Sequence, residues 1–233
     1  MSRLTSTIAD SLGPRLVTRQ AVVKVDRSAS EWEVTTAGGN HHCAREVVLA
    51  TPAWVSARIL KDLDPELSAD LEQIPFAPVA SVYLGYSRGQ MGGWHDGFGF
   101  LLHPDEEPAV LGAIYCSSIF PDQAPENTCL IRVMLGGRRH LELIDAEDEK
   151  LAKIAMDALQ GYLGHDGEPI FCHVHKIGRA IPQYTKGHLA RLQRIGKRLA
   201  THPGMDLRGN SYHGIALGAQ LSGTSTLQGP WNG

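Results

Sequence analysis

The sequence has few cysteines, little net charge and no hydrophobic run long enough to cross a membrane. Its four cysteines are widely spaced and form no C-x-x-C pair, which predicts reduced thiols in a cytoplasmic protein. A net charge of −3 over 233 residues lacks the basic excess that is typical of nucleic-acid-binding proteins. Since no apolar stretch approaches the ~18 residues of a transmembrane helix, only a peripheral membrane contact stays open.

Familiar catalytic and nucleotide-binding motifs are also absent. The sequence has no G-x-x-x-x-G-K-[ST], no H-E-x-x-H, no G-x-S-x-G and no G-x-G-x-x-G. His173 and His175, beside Cys172, share one side of a predicted strand, and His41 and His42 follow a turn. Because neither pair has an evident third ligand, exposed strand faces are favoured over a metal site.

Two charged clusters are interpreted as ordinary helix features. Arg191, Arg194 and Arg198 follow a helical spacing within 187–201, which favours the solvated face of an amphipathic helix over a phosphate or membrane-surface patch. The acidic run at 145–149 predicts a helix N-terminus, stabilised by the helix dipole, and not a pair of catalytic carboxylates.

The first quarter of the sequence alternates between strand and turn signals after an initial helix at 4–12. Residues 15–50 predict a small β-meander that leads into a strand at 47–50. The continuous apolar run of that strand predicts burial on both faces. Thr51-Pro52 and Asp64-Pro65-Glu66 then predict the starts of two helices.

The middle of the sequence predicts strands in direct succession, which favours an antiparallel sheet. The strand candidates lie at 79–86, 97–103, 110–117, 129–135 and 170–174, with a helix predicted at 145–163. A helix at 187–201 and a short strand at 205–208 follow. The predicted class is therefore α/β (α+β).

Two turns that follow predicted strands could bind a nucleotide. Thr51-Pro52 follows the apolar strand at 47–50, and the glycine-containing stretch 209–214 follows the strand at 205–208. Ligands of α/β folds bind where strands end in tight turns, and glycine allows the backbone to approach a phosphate or a flavin. Ordinary turns are the alternative that stays open.

Seven blocks of the sequence together resemble the FAD-dependent protoporphyrinogen oxidases, which are part of the amine-oxidase-like flavoproteins. They run in the family's order from residue 47 to residue 214, and the resemblance as a whole covers roughly residues 4–217. The blocks are VVLATPA (47–53), LDPEL (63–67), IPFAPVA (74–80), GFGFL (97–101), VMLGG (133–137), IPQY (181–184) and GNSYHG (209–214).

The resemblance implies a partial FAD-binding domain with a β-meander and a substrate domain built on a mainly antiparallel sheet with helices. Residues 1–52 and 185–233 would belong to the FAD domain, and residues 53–184 to the substrate domain. Met1 corresponds to a point about midway along the family chain. The expected chain is therefore a C-terminal half that lacks the dinucleotide-binding half.

The resemblance also implies site residues, although it implies no catalytic acid or base. The implied cofactor-binding residues are Val22, Ala50, Thr51, Pro52, Gly209, Asn210, Gly214 and Ile215. The implied substrate-binding residues are Phe98, Gly99, Leu101 and Met134. An alternative that stays open is that Phe98 and Met134 are plain core residues.

The implied activity is oxidation of protoporphyrinogen IX or coproporphyrinogen III by FAD in haem biosynthesis. The implied partners are the tetrapyrrole and either an N-terminal half or a second copy of the chain. Three departures from the family pattern leave a second function open: the G-x-G-x-x-G turn is missing, Ile177 replaces a common tryptophan, and residues 218–220 replace Pro-Asp-Cys. That alternative is a truncated, inactive relative that acts as a tetrapyrrole-binding or interaction module.

Overall fold

The computed structural model describes residues 2–28, 30–91, 97–103, 105, 109–165, 167–212 and 214. It divides the chain into two compact units. The first unit is formed by the residues up to Pro75 and from Tyr184 onward, and the second by Phe76–Gln183. All elements below are numbered in chain order.

Within the described residues, the first unit contains four α-helices and five strands, which come from both ends of the chain. Its helices are α1 (Ser2–Leu12), α2 (Ala53–Leu60), α3 (Pro65–Glu72) and α6 (His188–Leu199). Its strands are β1 (Val22–Ser28), β2 (Glu31–Thr36), β3 (His41–Ala44), β4 (Val47–Leu49) and β10 (Met205–Leu207). A short 3₁₀ helix, Gly13–Arg15, follows α1.

The predicted β-meander is present as the antiparallel sheet β1–β2–β3. Val25 and Trp32 are fully buried within it. Strand β4 instead pairs in parallel with β10. The prediction that β4 is buried on both faces is wrong, because the Val48 side chain is 56% exposed while Leu49 is buried. Among the described strands, β10 is the only neighbour of β4, so the other edge of β4 pairs with no described strand.

Helices α2 and α3 belong to the first unit, whereas the sequence predicted a boundary after residue 52. Helix α2 packs against β1 and α3, and α3 packs against α6. Asp64 caps α3 as predicted, since its carboxylate accepts a hydrogen bond of 2.9 Å from the Leu67 backbone N–H. The helix pair therefore stays with the unit that contains β4.

The predicted solvated arginine face of α6 includes Arg194, which is exposed, but two of its members also form ion pairs. Arg194 forms an ion pair of 2.6 Å with Asp70, and Arg198 forms one of 2.7 Å with Asp64. Asp64 lies in the LDPEL segment, just before α3, and Asp70 lies within α3. These ion pairs tie α6 to α3, a contact that no local sequence pattern encodes.

The second unit is built on a five-stranded antiparallel sheet in the order β6-β7-β8-β5-β9. The strands are β5 (Phe76–Ser87), β6 (Gly99–Leu101), β7 (Val110–Tyr115), β8 (Thr128–Gly136) and β9 (Phe171–Pro182). Its helices are α4 (Cys116–Ile119) and α5 (Asp148–Leu163). Short 3₁₀ helices cover Arg88–Met91, Pro121–Gln123, Gly137–Arg139 and Leu141–Asp145.

Several predicted bounds in this unit differ from the structure. Strand β7 ends at Tyr115, because Cys116–Ile119 turns into a helix, and β9 extends to Pro182 instead of ending near residue 174. The long β9 forms because it pairs with β5 along almost its whole length. Helix α5 begins at Asp148, so only part of the acidic run at 145–149 lies in its first turn.

The sheet of the second unit has two different faces, because successive side chains of a strand point in opposite directions. One face packs against α5 and forms the core, with Val82, Leu84, Val133 and Leu135 almost fully buried. The other face carries residues of intermediate or high exposure, and is called here the open face. Within the described ranges, no helix is both long and apolar enough to span a membrane.

Candidate functional site

The two predicted cofactor-binding turns lie at the same edge of the β4–β10 sheet. The strands are parallel neighbours, with Leu49 in register with Leu207, so their carboxyl ends coincide. The Arg208 backbone N–H donates a hydrogen bond of 3.0 Å to the Leu49 carbonyl. The segments 50–52 and 209–210 therefore leave the sheet side by side, the arrangement in which open α/β sheets bind ligands.

The turn after β10 is closed by a hydrogen bond of 3.1 Å from the Tyr212 backbone N–H to the Gly209 carbonyl. Gly209 has φ +124°, which favours glycine, and an added Cβ would meet no atom within 4 Å. The Tyr184 hydroxyl donates a hydrogen bond of 2.5 Å to the Asn210 carbonyl. The Tyr184 side chain thus fixes the turn at Asn210, and no described residue fills the space beside the Gly209 Cα.

The turn after β4 leads directly into α2. The Thr51 and Ser56 hydroxyls are hydrogen-bonded at 2.8 Å, and Pro52 occupies the position just before the helix. Ser56 is fully buried, whereas Ala50 and Pro52 are exposed. The Thr51 side chain is therefore used to shape the turn, and the exposed neighbours are available to a ligand.

Two of the other predicted cofactor residues are placed by the structure, and one is not. Val22 begins β1, in the three-stranded sheet and not in the β4–β10 sheet. The backbone of Gly214 hydrogen-bonds to the Tyr184 hydroxyl, so Gly214 lies with the 209–212 turn. Ile215 and the departing segment 218–220 lie outside the described residues.

Two of the predicted substrate residues, Leu101 and Met134, lie on the open face of the second unit. Leu101 of β6 is in register with Gly112 of β7, which is in register with Met134 of β8. Gly99 lies on the same edge strand, immediately after Phe98. Three neighbouring strands at a spacing of ~4.8 Å place Leu101 and Met134 about 10 Å apart across the sheet.

Between these two residues in register lies Gly112, which carries no side chain. Gly112 has φ +151°, and an added Cβ would lie 2.3 Å from the Phe100 carbonyl oxygen, so a side chain does not fit there. Phe98 is 71% exposed, Leu101 is 81% exposed, and Met134 is half-buried. None of the three belongs to the buried core cluster. Their role in binding a substrate stays a prediction.

Comparison with known proteins decides the family. The sequence profile of the "Flavin containing amine oxidoreductase" family matches residues 1–226. The chain belongs to this family. The family resemblance inferred from the seven sequence blocks is confirmed. The mixed helix-and-sheet fold class is confirmed as well, and so is FAD as the cofactor of the family.

The chain is similar to enzymes named for two related porphyrinogens. It is 27% identical over 197 residues to coproporphyrinogen III oxidase of Bacillus subtilis (strain 168), covering 84% of this chain and 42% of that protein. It is 33% identical over 198 residues to protoporphyrinogen oxidase of Macaca fascicularis, covering 82% and 41%. The chain thus spans about two-fifths of the length of these relatives.

A solved structure shows the same fold. A protein from Exiguobacterium sp. 255-15, provisionally named a protoporphyrinogen oxidase, superposes with a TM-score of 0.70 at 24% identity. The match covers 86% of this chain and 43% of that one. At this identity the likeness supports the fold alone.

Unpaired polar atoms beside the 209–212 turn fit the oxygen-rich FAD that the family binds. His188 stacks on Tyr184 with the ring centroids 4.3 Å apart, and both of its ring nitrogens are buried without a hydrogen-bond partner among the described residues. Nε and Nη1 of Arg191, one helical turn later, and Oγ of Ser211 are unpaired in the same way. Burial, and then the nearby Arg191 charge, lower the pKa of His188, so its ring is neutral at pH 7.

This unpaired cluster was not predicted from the sequence, which grouped Arg191 with the two ion-paired arginines of α6. The helical spacing is the same for all three, so only their tertiary neighbours separate them. Elsewhere, His173 and His175 are exposed as predicted. In the part of the chain that the structure describes, His, Cys, Asp and Glu form no group of three suited to a metal ion.

Proposed function

We propose that this chain supplies the flavin-facing turns and the substrate face of an FAD-dependent oxidase that acts on a porphyrinogen. The meeting of segments 50–52 and 209–210 at one edge of the β4–β10 sheet carries the proposal. An edge of this kind favours nucleotide binding, and the family to which the chain belongs uses a flavin.

For the cofactor, the proposed contacts lie mainly on the first unit. Gly209, Asn210 and Gly214 would bring backbone close to the cofactor, while Ala50, Thr51 and Pro52 would line it from the neighbouring turn. His188, Arg191 and Ser211 offer further polar atoms to its acceptor oxygens. Val22 and Ile215 are retained as proposed contacts from the family resemblance alone. Bound FAD would accept hydride from the substrate.

For the substrate, the proposed contacts lie on the open face of the second unit. The row formed by Leu101, Gly112 and Met134 is apolar, and Gly112 carries no side chain. A flat macrocycle needs this kind of surface and few polar contacts. Phe98 and Gly99 lie on the same edge and would extend the surface. The names of the relatives favour a tetrapyrrole, either protoporphyrinogen or coproporphyrinogen.

The protein isolated from its own cells, together with any partner that copurifies, tests the proposal. Its absorption spectrum measures bound flavin, and porphyrin fluorescence measures conversion of colourless protoporphyrinogen IX and coproporphyrinogen III. We expect bound flavin and formation of porphyrin from at least one substrate. A control preparation carries Met134→Ala, which should weaken conversion and leave the flavin spectrum unchanged.

Two results would contradict the proposal in different ways. A preparation without flavin that still binds porphyrin but converts neither substrate would favour the alternative, a tetrapyrrole-binding module without turnover. A preparation that binds neither flavin nor porphyrin would overturn both functions. For the recombinant 233-residue chain alone, we expect FAD binding weaker than micromolar, because its sequence has no G-x-G-x-x-G phosphate-binding turn.

A further inference from the structure

The sheet of the second unit carries basic residues and no acidic ones. None of the residues of its five strands, all of them described, is Asp or Glu. The cationic residues are Arg132 on β8, and Lys176 and Arg179 on β9. Lys176 is already paired with Asp148 at 2.7 Å, at the start of α5. A ligand on this sheet would therefore meet positive charge without repulsion from strand carboxylates.

Arg132 lies on the open face, in the row next to Leu101, Gly112 and Met134. It is two residues before Met134, so both side chains leave β8 on the same side, about 7 Å apart along the strand. Its neighbours in register are Ile114 on β7 and Tyr83 on β5. On the opposite side of β8, Ile131 and Val133 are buried in the core.

Arg132 is half-buried, and the unpaired part of its guanidinium is the Nε atom, which is fully buried. The thiol of Cys116 lies close enough to be influenced by the Arg132 charge, but burial raises the pKa of that thiol, which stays neutral. A partly desolvated cation without a partner is costly, because its lost hydration is not replaced. An anionic group of a ligand would replace it.

We propose that Arg132 binds a peripheral carboxylate of the substrate while the apolar ring lies on Leu101, Gly112 and Met134. This inference rests on the proposed function, and it assigns the specificity for an acidic tetrapyrrole to one residue. The planar fork of a guanidinium donates two parallel hydrogen bonds to a carboxylate. The ring and the carboxylate would thus be bound by adjacent rows of the same face.

Binding of protoporphyrin IX and of its uncharged dimethyl ester to the full 233-residue chain tests the inference. Both are titrated by absorption and fluorescence, in the same buffer with a fixed detergent concentration. The variants are Arg132→Met, which keeps the length of the side chain without its charge, and Arg132→Lys, which keeps the charge. Arg139→Met is the matched control, because Arg139 is an exposed arginine just beyond β8.

We expect Arg132→Met to weaken binding of the free acid about 10- to 100-fold and to leave binding of the ester within about twofold. Arg132→Lys should retain part of the affinity, and Arg139→Met should change neither ligand. The wild-type chain should bind the acid more tightly than the ester, and that preference should fall with added salt. This comparison needs no variant, so it holds even if Arg132→Met does not fold.

The failures of the two proposals are distinguishable. The wild-type chain could bind the acid and the ester with equal affinity, and Arg132→Met could change neither affinity. In that case the Arg132 guanidinium binds only water, and the inference is wrong while the proposed function stands. If the wild-type chain binds neither porphyrin, the inference falls together with the proposed tetrapyrrole site.

Discussion

The hydroxyl of Tyr184 donates a hydrogen bond of 2.5 Å to the backbone carbonyl of Asn210, 26 positions later in the sequence. This bond connects Tyr184, two residues after β9, to the turn that follows β10. Burial raises the pKa of Tyr184, so the phenol keeps its proton at neutral pH and acts as a donor. The shape of the 209–212 turn therefore depends on one side chain from a distant segment.

The first prediction concerns this hydrogen bond. Tyr184→Phe keeps the ring that stacks on His188 and removes only the donor. We expect a loss of about 1 kcal/mol in the free energy of unfolding, and faster hydrogen exchange at the Tyr212 amide, which closes the turn. Mass-spectrometric hydrogen exchange and chemical denaturation measure both.

Tyr162→Phe is the control for that substitution, because Tyr162 is a 45% exposed tyrosine at the end of α5. It should change stability by less than about 0.5 kcal/mol. Unchanged exchange at Tyr212 in Tyr184→Phe would show that the turn holds its shape without this bond.

The second prediction compares two glycines with open space around them. Gly209→Ala places a side chain at φ +124°, and should destabilise the protein by about 1–2 kcal/mol. Gly161→Ala, within α5, has no such conformational cost and should stabilise by about 0.5–1 kcal/mol. Thermal melts of both variants measure the contrast. Equal effects would mean that the conformation of Gly209 imposes no strain on alanine.

The third prediction separates a pocket residue from a core residue on the same strand. Met134→Ala, on the open face, should cost less than about 1 kcal/mol of stability but weaken porphyrin binding. Leu135→Ala, in the core, should cost about 2–5 kcal/mol. Denaturant unfolding and porphyrin fluorescence quenching are measured on both. A large loss of stability in Met134→Ala, with unchanged porphyrin affinity in the folded fraction, would assign Met134 to the core.

The fourth prediction concerns the pH dependence of stability. Burial alone would raise the pKa of Asp64, but hydrogen bonds from Arg198, Leu67 and His202 outweigh burial and lower it from 3.8 to about 2. Since the folded state holds this carboxylate ionised, its contribution of about 2 kcal/mol is complete above pH ~5. It is lost as the pH falls from ~4 towards 2.

Asp64→Asn measures that contribution, because the amide keeps an acceptor for the Leu67 N–H but does not titrate. The difference in unfolding free energy between wild type and variant should shrink as the pH falls below 4. Asp70→Asn is the control, since its partner Arg194 is half exposed and such pairs contribute little. A difference for Asp64→Asn that is constant from pH 7 to 2.5 would contradict the assignment.

Much of the local structure followed from the sequence. The alternation around Trp32 predicted the meander, Asp64-Pro65 predicted the start of α3, and the strand candidates of the second unit were mostly correct. The seven sequence blocks predicted the family that the comparison confirmed. These features depend on residues close together in the sequence, or on matching residue for residue, and both can be judged without coordinates.

The tertiary structure alone decided which residues meet. Alternation along β8 separates Met134 from Leu135, but only pairing with β7 and β6 puts Met134 in a row with Gly112 and Leu101. The exposure of Val48 likewise depends on β4 having one described neighbour and not two. The register between strands and the burial of a side chain depend on segments far apart in the sequence, so no local pattern predicts them.

The three arginines of α6 show the same division. Their spacing determined that they share one side of a helix, because 3.6 residues make a turn whatever surrounds it. Their partners differ. Arg194 and Arg198 form ion pairs with Asp70 and Asp64, whereas Nε and Nη1 of Arg191 are buried and have no hydrogen-bond partner among the described residues. A charge becomes an ion pair, a solvated group or a binding group through the atoms that reach it from other elements. The sequence determined the helix and its charges, and the packing of distant elements decided what each charge does.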